Sequence, residues 1–177
     1  MFPKYKIVNV VTTATLDQEI DFEAIRKLDN VFHDSDVYGG RAAYFKTNEM
    51  QGKVSIFSSG KMISVGTKTR EESFRELEEA KDFLVKSGFI TEVSIEPKIR
   101  NLVISVDFGK TINLEDLVYV YQIIYEPEQF PGGILRLSEP FKASVLIFST
   151  GKVIITGLKA MNQIEKTIAH LKKCLIT

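Results

Sequence analysis

Hydrophobic and polar positions change period several times along the chain, and each change marks an element. Residues 7–14 are rich in Val and Thr and alternate only weakly, the pattern of a strand at least partly buried on both faces. Residues 21–28 place Phe22, Ile25 and Leu28 on one stripe, which predicts a short amphipathic helix. Strands follow at 44–46, 53–57 and 61–65, the last two joined by the turn Ser58-Ser59-Gly60. Thr69 stands three residues before Glu72, the spacing of a capping box. Phe74, Leu77, Ala80, Lys81 and Leu84 then recur at helical spacing until Gly88 stops the run. The acidic side chains Glu71, Glu72, Glu76, Glu78, Glu79 and Asp82, interleaved with Arg70, Arg75 and Lys81, read as the solvated face of that helix. The order then returns: a strand from Ile99, a short helix over 114–120, strands at 134–137, 144–148 and 152–156, and a terminal helix through Ile164, Ile168 and Leu171.

The repetition extends to residue identity. The segment from Ile56 to Lys68 recurs from Ile147 to Lys159, with eight of thirteen positions identical at a constant offset of 91, and Val8-Asn9-Val10-Val11 is echoed by Arg100-Asn101-Leu102-Val103. Two copies are fewer than the roughly three repeats a solenoid needs. The expectation is an α+β fold of two repeats, 1–92 and 93–177, sharing a pseudo-symmetric antiparallel sheet.

Strand alternation separates the two faces of that sheet. Val54 and Ile56 share one face with their counterparts Val145 and Ile147, while Phe57, Ile63, Val65, Leu146, Phe148, Ile154 and Thr156 fall on the other, with Asn9, Val11, Asn101 and Val103. Four helical segments are too few to cover both sides. A large apolar face with sparse amides and hydroxyls is left over, and such a face calls for a partner.

The 177 residues suffice for a substantial core, and a 44% hydrophobic, 26% charged composition is ordinary for a globular protein. No apolar run approaches the roughly 20 residues of a membrane helix, and the N-terminus lacks a secretory hydrophobic region, so the chain is expected inside the cell and away from membranes. The single cysteine, Cys174, excludes an internal disulfide. With 23 basic and 23 acidic side chains, any affinity for nucleic acid rests on local placement of Lys and Arg, not on net charge. Enzymatic readings are weak: there is no metal-ligand cluster and no glycine-rich phosphate loop, and His33 and His170 have no nucleophile nearby in sequence. No cofactor is expected.

The duplicated Asn-x-Val strands, the two Ile-Phe-Ser-[Ser/Thr]-Gly-Lys hairpins and the segment from Tyr125 to Gly132 together resemble the TATA-binding protein family in its short archaeal form. The similarity runs over essentially the whole chain from Ile7. The resemblance implies a saddle, a curved ten-stranded antiparallel sheet with helices on its convex face and DNA on its concave one. It implies a general transcription initiation factor that binds and bends A·T-rich duplex through the minor groove and recruits transcription factor B and the RNA polymerase pre-initiation complex. Such a protein would be a monomer on DNA and a candidate dimer when free, located at the nucleoid if archaeal and in the nucleus if eukaryotic.

Residue by residue, the resemblance implies that Phe130 and Phe148 are wedges of the second half and Phe57 a wedge of the first. It makes Asn9 and Asn101 the amides reaching base edges, Val11, Val103 and Thr156 neighbouring base contacts, and Lys61, Lys68, Arg136, Lys152 and Lys159 phosphate contacts. Glu126, Glu128 and Gln129 lie in the turn that meets transcription factor B. The chemistry suits these residue types, because A and T present only acceptors in the minor groove and a few amide donors with Val methyls discriminate against the guanine amino group. Aromatic wedges unstack a base step, and lysines at the rim neutralise phosphates.

The first half departs from the pattern. It has Val37-Tyr38-Gly39-Gly40 where the family has Phe before two small residues, Val65 as the counterpart of Thr156, and a stretch over 46–52 longer than the matching turn around Glu139 and Pro140. Tyr38 and Val65 therefore stand in the DNA-contacting set as substituted positions. The alternative reading is a paralogous module that docks transcription factor B while binding DNA weakly or differently.

Overall fold

A computed structural model describes residues 2–33 and 38–176, and of Tyr38 the backbone alone; residues 34–37, part of the divergent stretch of the first copy, lie outside the described residues. The chain forms two compact units, an N-terminal unit of Asn9–Arg100 and a C-terminal unit of Met1–Val8 with Asn101–Thr177.

In the N-terminal unit the strands β1 (Lys4–Thr15, of which residues 9–15 belong to this unit), β2 (Val31–His33), β3 (Ala42–Phe45), β4 (Lys53–Phe57) and β5 (Lys61–Thr67) lie in the order β2-β3-β4-β5-β1, each pair antiparallel. Helix α1 (Phe22–Ile25) is capped by Asp21, whose carboxylate accepts the Ala24 N–H, and α2 (Arg70–Lys86) by Thr69. Helix α1 is shorter than the 21–28 stripe suggests, yet Phe22 and Leu28 still pack against the core around Ile25. Strand β2, only three residues long, carries no alternation that a sequence reading could detect.

The C-terminal unit has β6 (Lys98–Asp107, of which residues 101–107 belong to this unit), α3 (Leu114–Tyr121), β7 (Gly132–Leu137), β8 (Ala143–Phe148), β9 (Lys152–Leu158) and α4 (Ile164–Leu175), with strand order β6-β9-β8-β7. The resemblance implied ten strands. Among the described residues there are nine, and the counterpart of β2 is a single bridge between Ile124 and Ile134.

Burial follows the alternation. Val54, Ile56, Val145 and Ile147 are fully buried, while Phe57, Val65, Phe148 and Thr156 on the opposite face are half-buried. Leu77, Ala80 and Leu84 of α2 and Ile164, Ile168, Leu171 and Leu175 of α4 turn their apolar stripes inward, each large side chain contributing on the order of 1.5–3 kcal/mol. The hairpin glycine is required by space as well as by conformation: Gly60 has φ 79°, and a Cβ there would collide with the Gln18 carbonyl oxygen, just as one at Gly151 would collide with that of Lys110.

The two long helices divide the capping box between them. Thr69 accepts the Glu72 N–H at 3.2 Å, but Glu72 is drawn away to the Gln51 amide. At the matching start of α4, Gln163 reaches back to the Ala160 N–H at 3.2 Å, whereas the cap position is an alanine that cannot accept.

The expected solvated face of α2 needs two corrections. Lys81 is buried and paired with Glu78, Asp82 and Glu92. Glu76 is not solvated; it is fully buried, accepting the Gly52 N–H at 2.8 Å and the Ser64 hydroxyl at 3.3 Å. Ser64 is joined at 3.0 Å to Ser73, and Ser73 at 2.6 Å to Thr12, all of them fully buried. Burial holds the Glu76 carboxyl above the usual carboxylate range, and the hydrogen bonds from Gly52 and Ser64 offset only part of that rise. The repeat offset puts Ile104, Ile155, Ile164 and Thr167 at the matching places in the second copy, so this polar chain belongs to the first copy alone.

Candidate nucleic-acid interface

Each unit fixes one asparagine through a strand irregularity. Asn9 lies on β1 where its pairing with β5 shifts register, and its Oδ1 accepts the Gly66 N–H at 2.9 Å. Asn101 lies on β6 beside the matching shift against β9, and its Oδ1 accepts the Gly157 N–H at 2.7 Å. Because a backbone N–H can only donate, these bonds assign the side-chain oxygen inward; Nδ2, a pure donor, faces outward at Asn9, and at Asn101 one of its two hydrogens engages Thr156 while the other remains for an external acceptor. Gly66 and Gly157 hold φ 99° and 108°, which is why the duplicated segment keeps glycine there. In the C-terminal unit Thr156 also exchanges hydrogen bonds with Asn101 at 3.2 Å, so the amide and hydroxyl form one polar pair. In the N-terminal unit Val65 supplies methyl groups instead, and Asn9 is held by the backbone contact.

Around each amide the face is apolar. Val103 stands opposite Thr156, and Ile154 stands opposite both Ser105 and Leu146. On the other unit Ile63 stands opposite Thr13 and Ser55, with Val11 half-buried on β1.

At the end of β8, Phe148 faces Gly132, and the Phe130 ring meets the Phe148 ring edge-on, with centroids 5.8 Å apart and planes at 64°. A Cβ on Gly132 would strike the Phe130 ring, so this glycine makes room for the pair. The N-terminal unit differs in register. Phe57 faces Ala42, so the residue two before its partner, the place Phe130 takes in the other copy, is Gly40 rather than Tyr38. Tyr38 instead opens a turn of 3-10 helix, Tyr38–Gly40, and its side chain lies outside the described residues. The extra residues sit in the loop 46–52, against 138–142 in the second copy, where Lys46 Nζ donates to the carbonyls of Met50, Gln51 and Gly52.

The expected cations border this face. Lys61 and Lys152 open β5 and β9, Lys68 and Lys159 follow those strands, and all four are exposed. Arg136 is exposed on β7, with Nη1 donating to Ser144 at 2.7 Å. Ser144 thereby holds the Arg136 guanidinium, a contact between neighbouring strands that no local pattern reveals. Glu126, Glu128 and Gln129 are exposed in a turn closed by the N–H groups of Gln129 and Phe130 on the Glu126 carbonyl, both at 2.9 Å. This turn is separate from the amide and hydroxyl pair.

The family model described as transcription factor TFIID (or TATA-binding protein, TBP) matches twice, over residues 4–86 and 96–176. A TATA-box-binding protein of Cenarchaeum symbiosum is 37% identical over 163 residues, spanning 92% of this chain and 88% of its own. One of Methanococcus maripaludis is 35% identical over 181 residues, spanning 98% of each. Among solved structures, that of Methanococcus jannaschii TBP aligns with a TM-score of 0.83 at 34% identity, covering 96% of both chains. Two matched repeats, each with an oriented asparagine and an aromatic at the end of its hairpin strand, leave no ambiguity: the chain belongs to the TATA-binding protein family.

Proposed function

We propose that this chain is a general transcription initiation factor whose two half-sites bind A·T-rich promoter duplex through the minor groove. The observation that carries this reading is the pair of asparagines whose oxygens are held by Gly66 and Gly157, each presenting an amide donor from an apolar face. Minor-groove edges of A·T pairs offer only acceptors, so a donor among methyl groups selects them. In this reading Asn9, Val11, Val65, Asn101, Val103 and Thr156 read base edges, while Phe57, Phe130 and Phe148 act as wedges with Tyr38 as a substituted position. Lys61, Lys68, Arg136, Lys152 and Lys159 hold the backbone. The test is competition in a gel shift. A minor-groove ligand such as netropsin is expected to displace the chain from a TATA duplex and a major-groove blocker to leave it bound; the reverse pattern defeats the reading.

The same reading makes Glu126, Glu128 and Gln129 the docking turn for transcription factor B, which in turn brings RNA polymerase. Residues 111–135 contain no Lys, Arg or His, and beside the turn Ile124 is exposed, so a basic surface with an apolar patch is its natural complement. Glu126→Arg with Glu128→Arg is expected to keep binary TATA binding within about twofold and to weaken the ternary complex about tenfold, roughly the cost of losing one or two charge pairs. Undiminished recruitment at the same salt concentration would place the factor elsewhere.

A further inference from the structure

Two clefts outside the base-reading positions correspond through the repeat at three lining positions, although Lys4 of one matches Glu96 of the other and Arg100 matches Val8. In the N-terminal unit a cavity of about 440 Å³ is lined by Thr13, Lys61, Lys98 and Arg100 together with Asp17 and Glu96. In the C-terminal unit one of about 370 Å³ is lined by Lys4, Lys6, Ser105 and Lys152, with Asp107. The repeat offset maps Lys61 on Lys152, Thr13 on Ser105 and Lys98 on Lys6. Each cleft thus has three cations and at least two hydroxyls against fewer carboxylates, two in the first and one in the second, on a chain whose charges balance overall.

Their position ties them to the interface. Thr13 pairs with Ile63 and Ser105 with Ile154, so both hydroxyls lie on the apolar face that carries the asparagines. Arg100 Nε donates to Thr13 Oγ1 at 2.8 Å, which holds the guanidinium and leaves its two terminal nitrogens for a further acceptor. Lys61 stands opposite Thr15 and Lys152 opposite Asp107, so each hairpin lysine borders the cleft of its own unit.

We propose that each cleft is a phosphodiester-binding site, and that Lys98 and Arg100 in one unit and Lys4 and Lys6 in the other hold backbone phosphates of the duplex bound on that face. This rests on the functional reading above and extends it to four cations that the family resemblance did not assign. Their contribution is affinity and register without sequence information, since phosphates are the same at every step.

The experiment measures the affinity of the full chain for an A·T-rich duplex and a G·C-rich duplex across a potassium chloride series. Neutralising Lys98→Gln with Arg100→Gln, or Lys4→Gln with Lys6→Gln, is expected to lower the slope of log K against log salt by roughly 2, at about 0.9 per phosphate contact. The A·T preference is expected to stay within about twofold of the parent. The control pair Lys86→Gln and Lys166→Gln, exposed on α2 and α4, is expected to leave the slope unchanged. Cleft variants that shift the slope no more than the control overturn the proposal. So does a thermal stabilisation of the free chain by inorganic phosphate that the cleft variants lose while their duplex slope is unaltered, because the clefts then serve a free anion. The parent's A·T preference reports on the functional reading and the slopes on the clefts, so either can fail alone.

Discussion

Replacing Phe148 by alanine is expected to remove most of the distortion at one end of the bound duplex and to weaken binding about ten- to hundredfold, or about 1.4–3 kcal/mol. The Phe130 and Phe148 rings are already in edge-on contact at 5.8 Å, in space cleared by Gly132, so the pair proposed as a wedge is organised in the free chain. Opening a base step costs a few kcal/mol, and a pair that needs no further ordering spends nothing more on itself. In the N-terminal unit the residue two before the partner of Phe57 is Gly40, which has no side chain to stand where Phe130 does. Tyr38→Ala is therefore expected to reduce bending less than Phe148→Ala. Energy transfer between dyes on the two duplex ends measures both, and equal losses would refute the asymmetry.

Truncating Glu76 is expected to destabilise the N-terminal unit by about 2–4 kcal/mol for Glu76→Ala, because a buried donor left without its acceptor costs about 1–3 kcal/mol and two donors are stranded. Those donors are the Gly52 N–H and the Ser64 hydroxyl. Glu76→Gln keeps an acceptor for Gly52 and is expected to cost little or to stabilise at neutral pH. The sign of the pH effect follows from the raised carboxyl. In the unfolded chain a glutamate titrates near about 4.3, and burial raises it in the native state. Between those two values the native protein holds a proton that the unfolded chain has released. Stability therefore falls as pH rises through that window, and this contribution is greatest below it. Denaturant titrations of parent and Glu76→Gln from pH 4 to 8 should show the slope in the parent and its loss in the variant; parallel curves would mean that Glu76 is not the titrating group.

Much of this was readable from the chain because a strand has a period of two and a duplication removes chance. Alternation separated Val54 and Ile56 from Phe57, and recurrence at Val145, Ile147 and Phe148 turned a weak pattern into an assignment of faces that burial reproduces. Helix α2 was legible for the same reason, over 3.6-residue spacing and a threonine cap. Short elements were not: three residues of β2 carry no period, and α1 ends before its apolar stripe does because the stripe only marks which side chains reach the core.

Polar residues mark the limit of what local pattern can say. Glu76 lies among acidic neighbours that keep at least part of their surface exposed, and it is the approach of the loop 46–52 and of Ser64 that encloses it. The same holds for Lys98 and Arg100, distant in sequence from Thr13 and Lys61 and brought to one cleft by strand pairing and a hydrogen bond. The sequence by itself determined the repeat, the period of each long element and the face on which each strand residue lies, since these are properties of neighbours along the chain. Tertiary structure alone decided which amide oxygen is tied down, which carboxylate is buried and which cations share a cleft, because hydrogen bonding, desolvation and charge depend on distances between residues that the chain separates by tens of positions.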